Sequence, residues 1–500
     1  MTSKRHTLPA LLSIPHRFYC KILVRILVVT ASAVPVAGKR LKSLLRSLLR
    51  SLLRPRLFTL GGALVVLMTA MIVVQPAATV GQTVVDYSFQ PVVVAGAQIG
   101  SLLGTPVTGL FAYAYRDGAW TQIPAQIDEK APNEDGDRVY TAQGDGLLDA
   151  DEEIAFMLKD MGEQAPPSAW VEGAEADGRI EVAAQANGDS RRWAYLFHGS
   201  QLSQTFEADY VRFSGAAQRV IAERYEAGFL DNGAGLDELR LNDSGVDLLD
   251  RTKIRLEIVV RVFGIPVRRL SCNEDNLTQE DGCGLEPRPI SPVKDGPVRL
   301  VWSESGGFAY GRLFQSRNEI NLPELSIGSA TIESLRFSWD LAEQVVATST
   351  PTIYLDANMS EPAIIDGEPD SVPTQTVPAW RQISHATGTI IMTTDLTTAG
   401  GTQRNYYKDN SIFDPDDTGD GLSYGDSGFS IENPNTSFNL DTNLLILSPT
   451  EENVGAAYAE QLATPPVVAV TLQAPSGPLD RKVYVPLIRA SQVIGSIAHE

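Results

Sequence analysis

The sequence predicts a mainly β protein, built as a β-sandwich or supersandwich and preceded by a basic leader and one transmembrane or signal helix. From about residue 83 onward, short runs of apolar and β-branched residues alternate with clusters of Gly, Pro, Asn and Asp. Runs of this kind, bounded by turn-forming residues, are typical of strands. The 41 glycines and 30 prolines among 500 residues agree with many turns.

The first 56 residues form the basic leader, with twelve Lys and Arg and no acidic residue before Asp86. The eighteen residues from Leu57 to Val74 carry no charge, which is about the minimum length of a bilayer-spanning helix. We therefore predict a transmembrane helix or a signal-peptide apolar region over residues 57–80. Basic residues on its N-terminal side place the rest of the chain outside the cytoplasm, either membrane-anchored or secreted.

The remainder of the chain is strongly acidic, because removing the leader leaves 29 basic against 61 acidic residues. A net charge of this sign is repelled by the phosphate backbone of nucleic acids. We therefore expect no nucleic-acid partner. The membrane is an expected partner through residues 57–74 if that segment is not cleaved.

Within the exported part, "KIRLEIVVRVF" shows the β pattern most clearly. Apolar residues occupy every second position from Ile254 to Val260, which predicts a strand with one face on a core and the other in water. Irregular stretches suggest a smaller β domain at residues 83–210, a larger β-sandwich domain at 211–476 and a tail at 477–500. The segments "SWDLAEQVVA" and "NVGAAYAEQLA" are the best candidates for helices.

Two of the three cysteines are expected to form a disulfide. Cys272 and Cys283 flank a polar stretch of ten residues without apolar periodicity, whereas Cys20 lies in the leader. In an exported protein such a pair predicts a disulfide that closes a short loop and stabilises the fold by about 2–3 kcal/mol. A zinc site would need more Cys or His nearby, and the surrounding sequence has none.

The stretch "TAQGDGLLDADEE", residues 141–153, partly matches a calcium-binding loop. In the EF-hand pattern, Asp145 takes position 5, Gly146 position 6, Asp149 position 9 and Glu152 position 12. The first half fails, because Thr and Gln stand where Asp or Asn is usual. The loop therefore resembles the calcium loops of dockerins more than a true EF-hand.

Upstream carboxylates and the following strand complete this first acidic loop. Asp135 and Asp137 in "NEDGD" are expected to fill the vacant ligand positions, so that five carboxylates share the site. The apolar run Ile154–Leu158 fits a strand or a helix by its spacing, and we choose the strand because the rest of the chain is β. The alternative for the loop is a solvated acidic turn, since Asp and Gly are also favoured in turns.

A second acidic loop repeats the core of this pattern in "DDTGDGLSYGDS". Asp414, Asp416 and Asp420 are its candidate ligands, but Ser427 stands where a calcium loop has its bidentate glutamate. The second loop is therefore expected to be the weaker site. Calcium is the expected ion for both loops, because it prefers oxygen ligands and because carboxylates this close repel one another without a cation.

Motifs for nucleophilic hydrolysis, phosphate binding and zinc catalysis are absent from the sequence. A pair of carboxylates for glycoside hydrolysis stays open, because Asp and Glu are abundant and their separation cannot be derived from sequence. His385 is a candidate for a lyase-type or ligand-binding site, with a satisfied strand residue as the alternative. Tyr406 and Tyr407 in "NYYKDN" are candidate exposed rings for ligand binding in a polar loop.

Several phrases resemble a loose group of exported bacterial β proteins. They are "WTQIPAQIDEK", "GDGLLDADEEIAFMLKDMG", "RWAYLF", "GPVRLVWSESGG" and "TGTIIMTTDL", scattered over residues 119–474. Some of that group are similar to the supersandwich scaffold of polysaccharide lyases and mutarotase-like domains. The resemblance implies the fold and the extracytoplasmic location. The matching phrases contain no catalytic motif, so the resemblance assigns no catalytic residue in this chain.

Three functions are consistent with these observations. The first is an exported, calcium-stabilised β protein without catalytic activity that binds a glycan or another cell-envelope component. The second is a polysaccharide-active enzyme, either a lyase or a glycoside hydrolase. The third is a structural envelope protein that has no soluble ligand and assembles with itself.

Overall fold

The structure is a computed structural model that describes residues 85–474, except 176–177, 234, 278–282, 284–290, 303–306, 322–328, 357–358, 360 and 436. The leader, the apolar segment 57–80 and the tail from 477 onward lie outside the described residues. Within the described part, no helix combines the length and the apolar character needed to cross a bilayer.

The described residues are mainly strands, which confirms the predicted fold class. The first half of the chain contributes β1 Pro91–Ala95, β2 Leu110–Arg116, β3 Ala119–Ile123, β4 Gln126–Asp128, β5 Lys130–Pro132, β6 Arg138–Tyr140, β7 Glu153–Met157, β8 Arg179–Gln185, β9 Arg192–His198, β10 Val211–Ser214, β11 Arg219–Ala222, β12 Tyr225–Phe229, β13 Leu236–Leu241, β14 Leu249–Val262 and β15 Ile265–Asn273.

The second half adds the remaining strands and two short helices. They are β16 Leu300–Val301, β17 Phe308–Ala309, β18 Leu313–Asn321, β19 Ser329–Leu341, α1 Glu343–Thr348, β20 Thr352–Leu355, β21 Ala363–Ile364, β22 Arg381–His385, β23 Gly388–Asp395, β24 Thr402–Asn410, β25 Ser423–Glu432, β26 Ser437–Leu447, α2 Gly455–Ala463 and β27 Val467–Gln473. Both helices lie in the two segments that the sequence favoured for helices. Short 3-10 helices of three to seven residues occur near the N-terminal end of the described chain.

The strands pair antiparallel in six sheets. A three-stranded sheet has the order β1-β7-β4, and a first five-stranded sheet has the order β27-β8-β9-β2-β3. An eight-stranded sheet runs β16-β17-β18-β26-β23-β22-β20-β21, and a second five-stranded sheet runs β15-β14-β19-β25-β24. The four-stranded sheet β10-β11-β12-β13 and the pair β5-β6 complete the set. The last strand of the described chain, β27, thus pairs with β8 far upstream.

The three-stranded sheet lies between two larger sheets. Its strand β7 buries Ile154 and Phe156 against the first five-stranded sheet. The alternate residues Ala155 and Met157 of the same strand pack against the eight-stranded sheet. Because successive side chains of a strand point to opposite faces, this run of apolar residues fills two cores at once. The choice of strand over helix for this run is confirmed.

The eight-stranded sheet also buries both of its faces. On β23, Ile390 and Met392 lie in the core shared with the four-stranded sheet, while Ile391 lies in the core shared with the three-stranded sheet. A further core joins β26 to the second five-stranded sheet through Phe438 and Phe429. The described residues from 85 onward therefore form stacked β layers with apolar side chains between them.

Cys272 and Cys283 form the predicted disulfide, with their Cα atoms 5.8 Å apart. Cys272 lies near the end of β15 and is buried beside Ile254 and Leu335 in the core of the second five-stranded sheet. The bond anchors the start of the loop that follows β15.

Replacing both cysteines of this disulfide by alanine is expected to lower the free energy of unfolding by about 2–3 kcal/mol, because the bond closes a loop with a sequence separation of 11. Equilibrium urea unfolding of the full chain in detergent measures the change. Cys20→Ala is the matched control and should leave the unfolding curve unchanged. Equal curves for the double variant and the control would contradict the prediction.

Candidate metal centre and binding groove

One face of the second five-stranded sheet carries fully buried charges. Lys253 on β14, Asp340 on β19 and Asp426 on β25 each have an exposed fraction of 0%. The ammonium group of Lys253 lies 2.7 Å from Asp340 Oδ2 and 3.0 Å from Asp417 Oδ2. Asp417 belongs to the second acidic loop, which in the structure is the segment 411–422 between β24 and β25 and covers this face. The alternation predicted the core face correctly at Ile254 and Leu256, but the register is irregular after Glu257, and Val259 on the opposite face is fully buried. That opposite face meets the loop near Lys253 and not bulk water.

Asp417 and its neighbour fasten the loop to the sheet. Asp417 Oδ1 accepts a hydrogen bond of 2.7 Å from Arg255 Nη2 on β14. The hydroxyl of Thr418 accepts from the same arginine and donates to the buried carboxylate of Glu274. The cations around Asp417 hold the pKa of its carboxyl below the usual range, against the effect of burial.

Three carboxylates converge at the edge of this charged face. One oxygen each from Asp250, Asp340 and Asp420 lies within 4.8 Å of the other two. The strand registers are irregular beside Asp250 and beside Asp340, and such bulges re-aim side chains. Asp340 is buried, Asp250 is half-buried and Asp420 is exposed. Elsewhere in the described residues, no group of three Cys, His, Asp or Glu side chains meets this distance.

Negative charge is in excess at this point. Burial, and then the neighbouring Asp426 carboxylate, raise the pKa of Asp340 well above its usual value, although Lys253 opposes the rise. Burial raises the pKa of Asp426 as well. Burial and then the charge of Asp420 raise the pKa of Asp250 to about 6. Burial disfavours each ionised form, and adjacent ionised carboxylates disfavour one another.

Asp426 is a buried carboxylate on this face with few hydrogen-bond partners among the described residues. Neither of its oxygens accepts a well-formed hydrogen bond from the described residues. The charge of Lys253 and the hydroxyl group of Ser338 lower the pKa of Asp426 without cancelling the effect of its burial. Burial, and then the charge of Asp426, raise the pKa of Tyr406. A buried polar group without a partner is unfavourable and calls for an explanation.

The donor set fits a hard cation. Carboxylate oxygens are the ligands that Ca²⁺ prefers, and Ca²⁺ completes its shell of six to eight oxygens with backbone carbonyls and water. The exposed side chain of Asp420 opens one side of the group to solvent. Asp250, Asp340 and Asp420 are therefore the residues that could hold a divalent ion.

The first acidic loop has a different arrangement. Asn133 Oδ1 accepts hydrogen bonds from the backbone N–H groups of Asp135 and Asp137, at 3.0 and 2.9 Å, and forms a tight turn. The side chains of these two aspartates are exposed. Asp145 is also exposed, and its Oδ1 accepts a hydrogen bond of 2.9 Å from the backbone N–H of Leu147.

The other two predicted ligands of this loop are engaged by protein groups. Asp149 Oδ2 lies 2.8 Å from Arg138 Nη2. Glu152 is buried, and its oxygens accept the backbone N–H groups of Lys130 and Asp149, at 3.2 and 2.8 Å. The five side chains are not brought together in the structure, and the calcium assignment for this loop stays a prediction.

In the second acidic loop, only Asp420 of the three predicted ligands joins the convergent group. Asp414 Oδ1 accepts the backbone N–H of Asp416 at 3.1 Å, and its Oδ2 lies 3.6 Å from Lys408 Nζ. The carboxylates that lie near Asp420 are those of Asp250 and Asp340. Both are distant in the sequence, so the spacing of residues within the loop does not predict them. The one sequence signal for Asp340 is a charged residue inside the apolar run around Trp339.

The three candidate ligand-binding residues do not form one site. His385 ends β22 in the eight-stranded sheet and is buried, with Nδ1 2.8 Å from the hydroxyl of Thr387. Burial lowers the pKa of His385. Tyr406 and Tyr407 lie on β24 of the second five-stranded sheet, on a half-buried strand where the sequence suggested a loop.

The hydroxyl groups of both tyrosines have partners. Tyr406 accepts a hydrogen bond of 2.9 Å from Arg336, whose guanidinium also lies over its ring. Tyr407 donates to Asp370 Oδ2 at 3.2 Å. Strand β24 is the edge of its sheet, which explains why a polar segment adopts a β conformation there.

A groove of about 510 Å³ lies between the three-stranded sheet and the first five-stranded sheet. Its lining is mainly apolar, with Thr108, Ser203 and Gln204 as exposed polar residues at the rim. The apolar lining consists of Val107, Leu110, Phe111, Ala112, Ala125, Ile127, Ile154, Leu196, Leu202 and Phe206. Nothing in the sequence indicated this groove, because its walls come from segments that are far apart in the chain.

Neither a protein-family profile nor a curated protein sequence matches this chain. Among solved structures, it is similar to an alpha-mannosidase from Enterococcus faecalis V583, with a TM-score of 0.37 and 11% identity over 78% of this chain and 46% of that chain. It is also similar to a protein in the glycosyl hydrolase family 38 from Enterococcus faecalis, with a TM-score of 0.34 and 12% identity over 77% and 46%. The match thus spans less than half of each of those chains, and a similarity of this extent carries no argument about activity.

Proposed function

We propose that this chain is an exported, calcium-stabilised β protein that binds a component of the cell envelope. The observation that carries the binding function is the groove of about 510 Å³ between two packed sheets. Ligand sites are typically concave, mostly apolar and supplied with a few polar groups. The groove has this composition, with buried side chains at its base and polar residues at its rim.

The lining favours a component with an apolar part, such as a glycolipid, over a purely hydrophilic glycan. Aliphatic side chains such as Leu110 and Leu196 offer no hydrogen bonds to the hydroxyl groups of a sugar, whereas an acyl chain gains from leaving water. The rim residues Ser203 and Gln204 are placed to contact a polar head. We therefore propose an amphiphile as the partner, within the expected class of a glycan or another envelope component.

Filling the groove tests this proposal. Ala125 is a small, half-buried residue of the lining, and Ala119 is an exposed alanine outside it. We expect the full chain to bind a fluorescent dodecanoyl probe, Ala125→Trp to weaken that binding at least several-fold, and Ala119→Trp to leave it unchanged. Fluorescence titration measures the affinity, and thermal unfolding checks that both variants remain folded.

The same titration distinguishes the alternatives. Failure of the wild-type chain to bind the acyl probe, or equal binding by both variants, contradicts the proposed groove. Release of reducing or unsaturated ends from a panel of polysaccharides would instead favour a polysaccharide-active enzyme. Assembly without binding of any soluble probe would favour a structural envelope protein.

The calcium part of the proposal is supported by the convergent group of Asp250, Asp340 and Asp420. Bound Ca²⁺ would supply two positive charges to a group in which burial and mutual repulsion disfavour ionised carboxylates. The disulfide between Cys272 and Cys283 supports an oxidising, extracytoplasmic location. Such a location would also supply calcium at concentrations that suit weak sites.

Removing calcium is expected to lower the melting temperature of the full chain by a few degrees. An ion at about 100 times its Kd stabilises the folded state by about 2.7 kcal/mol. Asp420→Asn should abolish most of the shift that a chelator causes, because this exposed side chain belongs to the convergent group. Asp416→Asn, in the same loop but outside the group, should retain the shift. Differential scanning calorimetry with calcium and with excess chelator measures it.

Two results would contradict the calcium proposal. One is an identical melting temperature of the wild-type chain with calcium and with chelator. The other is an equal loss of the chelator effect in Asp416→Asn and Asp420→Asn, which would assign it to the charge of the loop as a whole. Retention of the effect in Asp420→Asn with its loss in Asp145→Asn would move the ion to the first acidic loop.

A further inference from the structure

The hairpin of β14 and β15 carries an exposed apolar tip. Its two-residue turn consists of Phe263 and Gly264, both with positive φ, at 51° and 78°, as tight hairpin turns require. The exposed fractions of Phe263, Ile265 and Val267 are 92%, 65% and 58%. Large apolar side chains exposed side by side mark interaction surfaces in soluble proteins.

A basic collar lies directly behind this tip. Arg261 on β14 and Arg268 and Arg269 on β15 provide three guanidinium groups. Arg261 and Arg269 share a single carboxylate, because Glu333 lies 3.1 Å from Arg261 and also contacts Arg269. The collar therefore keeps a net positive charge, in a chain that carries 61 acidic residues against 41 basic ones.

The edge of the hairpin is poorly suited to pairing with another strand. β15 is an edge strand of its sheet, and its residue Pro266 has no backbone N–H to donate. Proline and positively charged side chains on an edge strand oppose strand addition. A second copy of this chain is thus a poor occupant for the tip.

We propose that the hairpin tip inserts into the surface of a bilayer that contains anionic phospholipid. Strands rise roughly 3.3 Å per residue, so Arg261 and Arg268 lie about 7 and 13 Å from the end of the turn. Apolar groups at interfaces are buried to roughly 5–10 Å, which places the collar at the level of the phosphate groups. Each basic residue near such a surface contributes about 1 kcal/mol of attraction.

A fluorescent label at the tip tests the insertion. Phe263→Cys is made in a Cys20→Ser background of the full chain and labelled with an environment-sensitive nitrobenzoxadiazole group, since Cys272 and Cys283 are joined to each other. Phe413→Cys is the matched control, because Phe413 is 65% exposed but lies beside acidic residues. Both proteins are incorporated into vesicles of phosphatidylglycerol and phosphatidylcholine, or of phosphatidylcholine alone.

We expect the tip label to shift its emission to shorter wavelength and to be quenched by brominated lipid in the anionic vesicles. The label at Phe413 should show several-fold less quenching, and Arg268→Glu/Arg269→Glu should abolish the quenching of the tip label. Any membrane anchor in the leader is common to all of these proteins. The difference in quenching between the labels at positions 263 and 413 therefore reports the insertion of the hairpin tip.

Three results would overturn the proposal. One is equal quenching of the two labels, and another is equal quenching of the tip label in neutral and anionic vesicles. The third is a shift that depends on protein concentration and not on brominated lipid, which would assign the tip to contacts between copies of the chain.

Discussion

Replacing Lys253 by methionine is expected to lower the free energy of unfolding by about 3–5 kcal/mol at neutral pH. Lys253 is fully buried, and its ammonium group lies 2.7 Å from Asp340 Oδ2 and 3.0 Å from Asp417 Oδ2. Without it, the carboxylate of Asp340 remains buried next to that of Asp426 and loses the cation that offsets their repulsion. Urea unfolding of the full chain measures the change.

Lys408→Met is the matched control for this substitution. Lys408 is partly exposed and lies 3.6 Å from both Asp414 and Asp417, so its loss should change stability by less than about 1 kcal/mol. Adding Asp340→Asn to Lys253→Met should recover part of the loss, because one of the unpaired charges is removed. A Lys253→Met protein as stable as the control would contradict the charge analysis.

Replacing Arg299 by methionine is the second substitution with a large expected effect, again about 3–5 kcal/mol. Arg299 precedes β16 and is 1% exposed, and its guanidinium lies 2.7 Å from Asp128 Oδ2 and 2.7 Å from Glu153 Oε2. These carboxylates end β4 and begin β7, so the arginine joins the three-stranded sheet to the eight-stranded sheet. Its removal would leave Asp128, which is 0% exposed, without a cation.

Arg138→Met provides the comparison for Arg299→Met. Arg138 also contacts two carboxylates, those of Asp149 at 2.8 Å and Asp151 at 2.9 Å, but its side chain is 37% exposed. Exposed pairs of this kind contribute about 1 kcal/mol or less. Thermal and urea unfolding should therefore show a clearly larger loss of stability in Arg299→Met than in Arg138→Met. Equal losses would show that burial does not determine the strength of these ion pairs.

The β class, the two helices and the disulfide could be predicted because each depends on local sequence. Period-two alternation and turn-forming residues indicate strands wherever they occur. The helices Glu343–Thr348 and Gly455–Ala463 lie in the segments with the best helical spacing. The bond between Cys272 and Cys283 spans a short loop, so its partners are close in the sequence.

The acidic loops were harder to interpret, because an Asp-Gly-rich segment has the same composition whether it binds a metal or forms a turn. In the first loop, the carboxylates of Asp149 and Glu152 have partners that local spacing does not show: Arg138 and the backbone of Lys130. In the second, Asp420 lies in a group of three carboxylates, whereas its predicted companions Asp414 and Asp416 lie outside that group.

By itself, the sequence determined the mainly β class, the acidic character of the chain beyond its leader, and the cysteine pair. The tertiary structure alone decided which charges meet. Asp250, Asp340 and Asp420 come together because β14 and β19 are neighbours in the sheet, because the registers are irregular at two of these residues, and because residues 411–422 cross the same face. Strand order and register depend on packing between distant segments, so local spacing carries no information about them.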